Sequence, residues 1–296
     1  MRRKMISMNA NALKIAVCSL VAGVLLAGPV RAGLVNDIPS CYQATRIAPP
    51  EKAYDHLLYV LMDQTIQLDP SLEQSVVDNV MRLLAPGTKF VITKFSAYSQ
   101  KHYLAVLHTG ILEKPLDPSR VSDTSIEAAR KLTQCLATQR RFAERMALST
   151  MVKVLKTATS SLDHSDILQA LTTIAPAVTQ ESAPDKILFL VSDGLENSSV
   201  ANFYARGSVR LINPEKELAK AKKADLIGDF GGARVFVLGG AMMPPPSQGS
   251  QRARDGYRDP QSLRALSAFW HEYFKASNAN LIEFGEPSLV NAVSFR

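Results

Sequence analysis

The sequence lacks the motifs that mark several common classes of enzyme. It has no glycine-rich phosphate-binding loop, and the Ser192, Asp193, Gly194 run lacks the flanking glycine of a serine nucleophile elbow. His271 and Glu272 begin like a zinc protease motif, but Lys275 stands where the second histidine ligand is required. The sequence also has no internal repeat and no coiled-coil heptad. These absences argue against those enzyme classes and against a repeat protein.

Acidic residues are missing from the whole segment before Arg31. A basic start at residues 2–4 precedes an apolar stretch at residues 15–30, which is the pattern of a secretory signal peptide. Val30 and Ala32 are suitable for cleavage before Gly33. We therefore expect residues 1–32 to be removed, the protein to be periplasmic or secreted, and membrane contact to be limited to export. An uncleaved anchor is the alternative, because the stretch approaches the roughly 18 apolar residues that span a bilayer.

The basic charge of the chain belongs largely to this segment. The formal net charge is +7, and cleavage would remove five basic residues and no acid, which leaves +2. A polyanion-binding function thereby loses its main support, so nucleic acid is not an expected partner. The remaining chain of about 264 residues is long enough to fold as one large domain.

Two cysteines, Cys41 and Cys135, would remain after cleavage. An oxidising compartment would allow them to pair, which predicts a disulfide that joins an N-terminal arm at residues 33–55 to a helix. Closing so long a loop contributes on the order of 4 kcal/mol in the chain-entropy model. Two buried thiols are the alternative.

Six short apolar runs, rich in β-branched residues, predict six strands; they lie at residues 56–62, 89–95, 103–108, 186–191, 234–238 and 280–284. Four of the runs are nearly continuous in apolar side chains, as in strands that helices cover on both faces. Helical spacing occurs between them, at residues 71–84, 124–155, from Asp166, from Pro214, and at 260–276. We therefore predict an α/β domain over residues 56–296 with a three-layer, doubly wound, mostly parallel sheet, helices on both faces and one hairpin. A proline- and glycine-containing stretch at residues 242–259 predicts a mobile loop.

Polar side chains follow two of the predicted strands directly. Asp63 ends the first strand, and Asp193 follows the strand at residues 186–191. Ser165 precedes a predicted helix, where its hydroxyl could act as the N-cap. In an open α/β sheet, ligands collect at the carboxyl ends of the strands where the strand order reverses. These residues are therefore the first candidates for a binding site.

In this arrangement the sequence resembles the von Willebrand factor type A (vWA) domain from about His56 to the C-terminus. The resemblance lies in Asp63-x-Thr65-x-Gln67, in Ser165 before an apolar helix, and in Asp193 within a Ser-Asp-Gly run. It implies a metal-ion-dependent adhesion site that holds Mg²⁺. Gln67 departs from the family pattern, because an amide replaces a hydroxyl, so the resemblance implies a degenerate site.

The chemistry of these residues suits Mg²⁺ independently of the resemblance. Two carboxylates and two hydroxyls supply the oxygen ligands that Mg²⁺ prefers, and one position stays open to an acidic partner. Gln67 could contribute its carbonyl oxygen directly or through water, or its length could displace the ion. The alternative is a hydrogen-bonded polar rim without an ion, since Asp and Ser at strand ends often only cap helices.

We expect a binding module of the cell envelope, not an enzyme, that holds a protein partner at this crevice. A phosphatase-type hydrolase that acts through Asp63 is the second hypothesis, but Thr65 stands where the haloacid dehalogenase pattern needs an acid/base carboxylate. An inert structural protein of the envelope is the third. Four aromatic residues of one helix are expected to pack in the core, with docking of a partner as the alternative; they are Phe269, Trp270, Tyr273 and Phe274.

Overall fold

The computed structural model describes residues 36–97, 104–159, 164–205, 208–242 and 259–296. Residues 35–296 form one compact unit, and the description below concerns this unit. The predicted signal peptide and nearly all of the predicted loop at residues 242–259 lie outside the described residues. Within the described ranges, no helix has both the length and the apolar character needed to cross a membrane.

The main sheet has six strands in the order β3-β2-β1-β4-β7-β8, and a separate small hairpin is formed by β5 and β6. The strands are β1 His56–Asp63, β2 Thr88–Phe95, β3 Ala105–Leu112, β4 Asp185–Val191, β5 Tyr204–Ala205, β6 Ser208–Val209, β7 Ala233–Leu238 and β8 Ala279–Phe284. The helices are α1 Cys41–Thr45, α2 Pro70–Leu83, α3 Ile126–Thr157, α4 Ile167–Thr179, α5 Pro214–Lys223 and α6 Pro260–Ala276. All neighbours in the main sheet are parallel except β2 and β3, which form the predicted hairpin.

Helices cover both faces of this sheet because its central strands are apolar on both sides. Alternate residues of β1, such as Leu58 and Val60, pack with the buried faces of α2 and α3 in one core. Leu57 and Tyr59 point to the opposite side and are equally buried, and helices α4 and α6 also have buried apolar faces. The predicted three-layer, mostly parallel α/β architecture is therefore confirmed, and its strand order is that of a doubly wound sheet.

The four aromatic residues of α6 belong to the core on that second face. Phe269, Trp270, Tyr273 and Phe274 are all fully buried. Phe269 packs edge-on against Phe203 with ring centroids 4.7 Å apart. The prediction of core packing is confirmed, and the alternative of an aromatic docking face is wrong because no ring of this group reaches the surface.

The predicted disulfide joins Cys41 and Cys135, with their Cα atoms 5.6 Å apart. It links α1 in the N-terminal arm to α3 across 94 residues of sequence. The arm also protects the exposed edge of β3, because Asp37 donates its backbone N–H to the Thr109 carbonyl and accepts from the Thr109 N–H. The arm is therefore fixed to the domain by a covalent bond and by hydrogen bonds.

Candidate functional site

The reversal of strand order lies between β1 and β4, the two central strands of the sheet. β2 extends the sheet on one side of this pair and β7 on the other, so the connections diverge at this point. In the parallel register Met62 is paired with Val191, and Asp63 and Ser192 therefore follow side by side. This is the place where ligands bind in open α/β sheets.

Asp63 lies at the centre of the crevice and is 3% exposed. Its Oδ1 accepts hydrogen bonds from the Thr65 N–H at 2.8 Å and from the Thr65 hydroxyl at 2.6 Å. Its Oδ2 accepts from the hydroxyls of Ser165, at 3.1 Å, and Ser192, at 2.9 Å. One carboxylate thus collects three hydroxyl groups from three separate segments of the chain.

Ser165 is held in place by a pair of backbone hydrogen bonds with Asn197, of 3.1 and 2.9 Å. The expectation that Ser165 caps α4 is wrong: Asp166 occupies the N-cap position, and its side chain makes no capping hydrogen bond. The Ser165 hydroxyl instead donates to Asp63, and the carboxylate of Glu196 accepts the free N–H of Leu168 at 2.9 Å. Capping by Glu196 leaves Ser165 available to the crevice.

Asp193 follows β4 and is only partly buried. Its Oδ1 accepts from the Leu195 N–H at 2.8 Å, while its backbone carbonyl accepts from the Ala241 N–H at 2.7 Å. The next residue, Gly194, has φ +69°, and a Cβ there would lie 2.8 Å from the Trp270 indole nitrogen. Only glycine permits the chain to turn beneath this ring, and the turn directs Asp193 into the crevice.

Gln67 is exposed, and its side-chain amide donates to the Ala158 carbonyl at 3.3 Å. Gln64 makes a similar bond to the Val154 carbonyl at 3.0 Å, but it is buried. Both amides contact the C-terminal end of α3. The structure therefore places Gln67 at the rim of the crevice, where its nitrogen binds α3 and its carbonyl oxygen is the only atom left as a possible ligand.

The two aspartates share an environment that disfavours negative charge. Burial raises the pKa of Asp63, although hydrogen bonds from Thr65, Ser192 and Ser165 oppose the rise. Burial also raises the pKa of Asp193 well above its usual range, and the charge of Asp63 raises it further. None of the ion pairs in the described ranges involves either residue.

The donor set of the crevice fits a small, hard cation. The hydroxyls of Thr65 and Ser165 give their hydrogens to Asp63, so their lone pairs remain free to coordinate. The Asp193 carboxylate accepts from the Leu195 N–H through Oδ1, and its oxygens have further lone-pair sites that could coordinate an ion. In the part of the chain that the structure describes, no three His, Cys, Asp or Glu residues form a metal-binding group. An ion here would therefore depend on the hydroxyls as much as on the two carboxylates.

Two residues of the site were not predicted from the sequence. Ser192 directly precedes Asp193, and its hydroxyl donates to Asp63. The signal that could have predicted this contact is the parallel pairing of β1 with β4, which places the residues after the two strands side by side. Glu196 is 1% exposed, and burial raises its pKa to about 8. No sequence signal distinguishes Glu196 from a surface residue, because its role depends on the position of α4.

The other chemical candidates receive no support from the geometry. Both oxygens of Asp63 already accept hydrogen bonds, and Thr65 supplies a hydroxyl donor instead of the carboxylate that a phosphatase would require. His271 and Glu272 lie on the exposed face of α6. The hydrolase therefore stays a hypothesis.

No family model and no curated protein matches the chain. Among solved structures it is similar to an aerotolerance-related membrane protein from Bacteroides fragilis, with 16% identity over 77% of this chain and 92% of that chain, at a TM-score of 0.34. The N-terminal domain of TFIIH p34 is 13% identical over 75% and 99% of the two chains, at a TM-score of 0.25.

A third match is to the three N-terminal domains of the type V pili tip protein Mfa5 from Porphyromonas gingivalis. It has 12% identity over 49% of this chain and 20% of that chain, at a TM-score of 0.24. Likenesses this distant carry no functional argument. The fold is therefore assigned from the strand order and the helix layers described above.

Proposed function

We propose that this chain is an exported interaction module of the cell envelope that binds an acidic group of a protein partner at the crevice, through Mg²⁺. The observation that carries the proposal is the convergence of three hydroxyls on Asp63, with the Asp193 carboxylate beside them and no basic side chain paired with either acid in the described ranges. A structural polar rim would more simply pair such acids with lysine or arginine.

Each residue of the crevice would have a distinct role in holding the ion. Asp63 orients the hydroxyls of Thr65 and Ser165, whose oxygens would be ligands together with the Asp193 carboxylate. Gln67 would act through its carbonyl oxygen or through a water molecule. A bound Mg²⁺ would supply an open coordination position to a carboxylate of the partner. The proposal therefore predicts a partner that presents an acidic residue.

Export is the second part of the proposal and rests on the sequence of residues 1–32. The Cys41–Cys135 disulfide is consistent with it, because disulfides persist in oxidising compartments. We expect the intact mass of protein released from the periplasm or the medium to correspond to a chain that begins at Gly33. Protein that retains Met1 in the membrane fraction would contradict cleavage and favour the anchor.

Direct metal binding tests the crevice. In a titration followed by electron paramagnetic resonance of Mn²⁺, we expect the protein to bind one ion, and Ser165→Ala or Asp193→Asn to weaken binding at least about tenfold. Asp78→Asn is the matched control, because Asp78 is an exposed carboxylate on α2. Equal binding by all four proteins, or no binding by the parent, would reject a metal site at the crevice.

A further inference from the structure

A second surface lies between the N-terminal arm and the middle of α3, away from the C-terminal end of this helix that borders the crevice. We name it the α1–α3 groove. It has a volume of about 450 Å³, and its wall includes Pro39, the Cys41–Cys135 disulfide and Phe142. Phe142 is 41% exposed, although phenylalanine is usually buried. The groove therefore offers apolar surface to solvent.

The shape of this groove is fixed by bonds between its two walls. The disulfide joins them covalently. The buried Gln139 of α3 donates its side-chain amide to the Pro39 carbonyl at 2.9 Å and to Glu113 at 3.1 Å. Preformed walls reduce the entropy that binding costs, so an apolar side chain can enter without ordering the site first.

The charge around the groove is positive. Helix α3 contains seven basic and two acidic residues. Both acids are paired within the helix, Glu127 with Lys131 and Glu144 with Arg140. Arg145 lines the groove and Arg141 lies one turn earlier on the exposed surface, and neither has an ion-pair partner among the residues that the structure describes.

The carboxylate of Glu113 lies next to the groove and accepts hydrogen bonds from neutral donors only. Glu113 accepts from the Ser40 hydroxyl, from the Cys41 N–H at 2.6 Å and from Gln139. It is therefore held at the junction of the arm with α3, and no ion pair in the described residues joins it to Arg141 or Arg145. The groove combines an apolar wall with an unbalanced basic rim.

We propose that the α1–α3 groove binds an acidic amphipathic segment of a protein partner, with an apolar side chain against Phe142 and the disulfide, and carboxylates at Arg141 and Arg145. The recessed apolar wall favours an inserted side chain over a flat lipid surface. A second copy of this chain would bring a second basic α3 to the same place, and repulsion opposes that pairing. This proposal does not depend on the crevice, from which residue 142 is separated by about 24 Å of helix.

The test uses purified protein with its disulfide intact and a fluorescein-labelled helical peptide of about 16 residues. The peptide has Leu or Phe at positions i, i+3, i+4 and i+7 and Glu on its remaining surface. We expect fluorescence anisotropy to report saturable binding that weakens at least about tenfold in Arg141→Glu/Arg145→Glu and in Phe142→Ser. Asp63→Asn should bind the peptide as the parent does, which separates this proposal from the crevice.

The matched control is Lys222→Glu/Lys223→Glu, which makes the same change in charge at exposed residues of α5. An equal loss of binding in this variant would show attraction to net charge only and would overturn the proposal. It would also be overturned if the peptide does not bind, or if a Lys-substituted peptide binds equally well. Tighter binding to anionic phosphatidylglycerol vesicles than to the peptide, or a dimer in sedimentation that Phe142→Ser dissolves, would assign the groove to a membrane or to a second copy.

Discussion

Acidic side chains have different partners at the two ends of the sheet. At the amino end, Asp185 accepts three hydrogen bonds from the Arg234 guanidinium, at 2.8, 2.9 and 3.1 Å, and Glu181 is paired with Lys89 at 2.6 Å. At the carboxyl end, Asp63 and Asp193 have only hydroxyl and backbone N–H donors. The acids at the amino end are therefore paired with basic side chains, whereas no ion pair in the described residues includes Asp63 or Asp193.

This contrast separates a structural arrangement of charge from one suited to binding. The ion pairs at the amino end join β4 to β7 and the end of the chain, because Asp185 also accepts the Arg296 N–H. They stabilise the fold by themselves. The crevice carries the repulsion of two neighbouring acids, which a cation from outside the chain would relieve.

The largest effect that we expect concerns Glu196, the third acid at the carboxyl end. Its pKa is raised to about 8 from 4.5, mainly by burial, and Asp166 raises it further. The folded protein therefore keeps a proton that the unfolded chain loses above about pH 4.5, so stability falls as pH rises and the loss is complete above about pH 8. Linkage limits the total to about 5 kcal/mol. In urea unfolding, Glu196→Gln should remove this slope.

The variant must therefore match the parent near pH 4.5 and exceed it in stability above about pH 8. Burial raises the pKa of Tyr273 far above its usual range, so this residue stays neutral across these pH values and does not interfere. A constant difference between Glu196→Gln and the parent at every pH would show that Glu196 is ionised in the fold. The carboxyl end would then tolerate charge as the amino end does.

Loss of the cation at the amino end should have the next largest effect. Arg234→Met leaves Asp185 without its guanidinium in a site where both side chains are mostly buried, at 11% and 14% exposure. We expect a loss of about 3 kcal/mol in the free energy of unfolding. Asp63→Asn should cost less than about 1 kcal/mol, because the Ser165 and Ser192 hydroxyls can rotate to accept from the new amide.

Similar losses for the two substitutions in urea unfolding would remove the contrast between the ends of the sheet. His56→Phe is a useful control at the amino end. His56 lies 3.7 Å from Asp185 but stacks on Phe295, so the substitution retains the ring contact and leaves the guanidinium pair intact. We expect His56→Phe to leave the free energy of unfolding nearly unchanged.

The sequence predicted the fold better than the site because continuous apolar runs record burial directly. The runs at residues 56–62 and 186–191 match β1 and β4 closely. The strand predicted at residues 103–108 is instead β3, Ala105–Leu112, so the predicted bounds are two residues too early at the start and four at the end. In the sheet Gly110 is required, because a Cβ there would lie 2.4 Å from the Phe90 ring.

The order of motifs identified Asp63, Thr65 and Ser165 as neighbours, and the structure brings them together with Asp193 close by. The direction of each hydrogen bond could not be predicted from the sequence. Ser165 is therefore a plausible cap of α4 in the sequence, but in the structure Glu196 provides the capping hydrogen bond. Gln67 illustrates the same limit. Its bond to the Ala158 carbonyl depends on where α3 ends, which is a property of the packed structure.

The central claim is that the carboxyl end of the sheet binds one divalent cation, and thermal unfolding with Mg²⁺ tests it most directly. An ion bound only by the folded state at 100 times its dissociation constant adds about 2.7 kcal/mol of stability. We expect Mg²⁺ to raise the unfolding midpoint of the parent and to leave that of Asp63→Ala unchanged. The shift should be larger for Gln67→Ser, because this substitution replaces the amide at the rim with a hydroxyl. Midpoints that do not respond to Mg²⁺ or Mn²⁺ in either the parent or Gln67→Ser would contradict it.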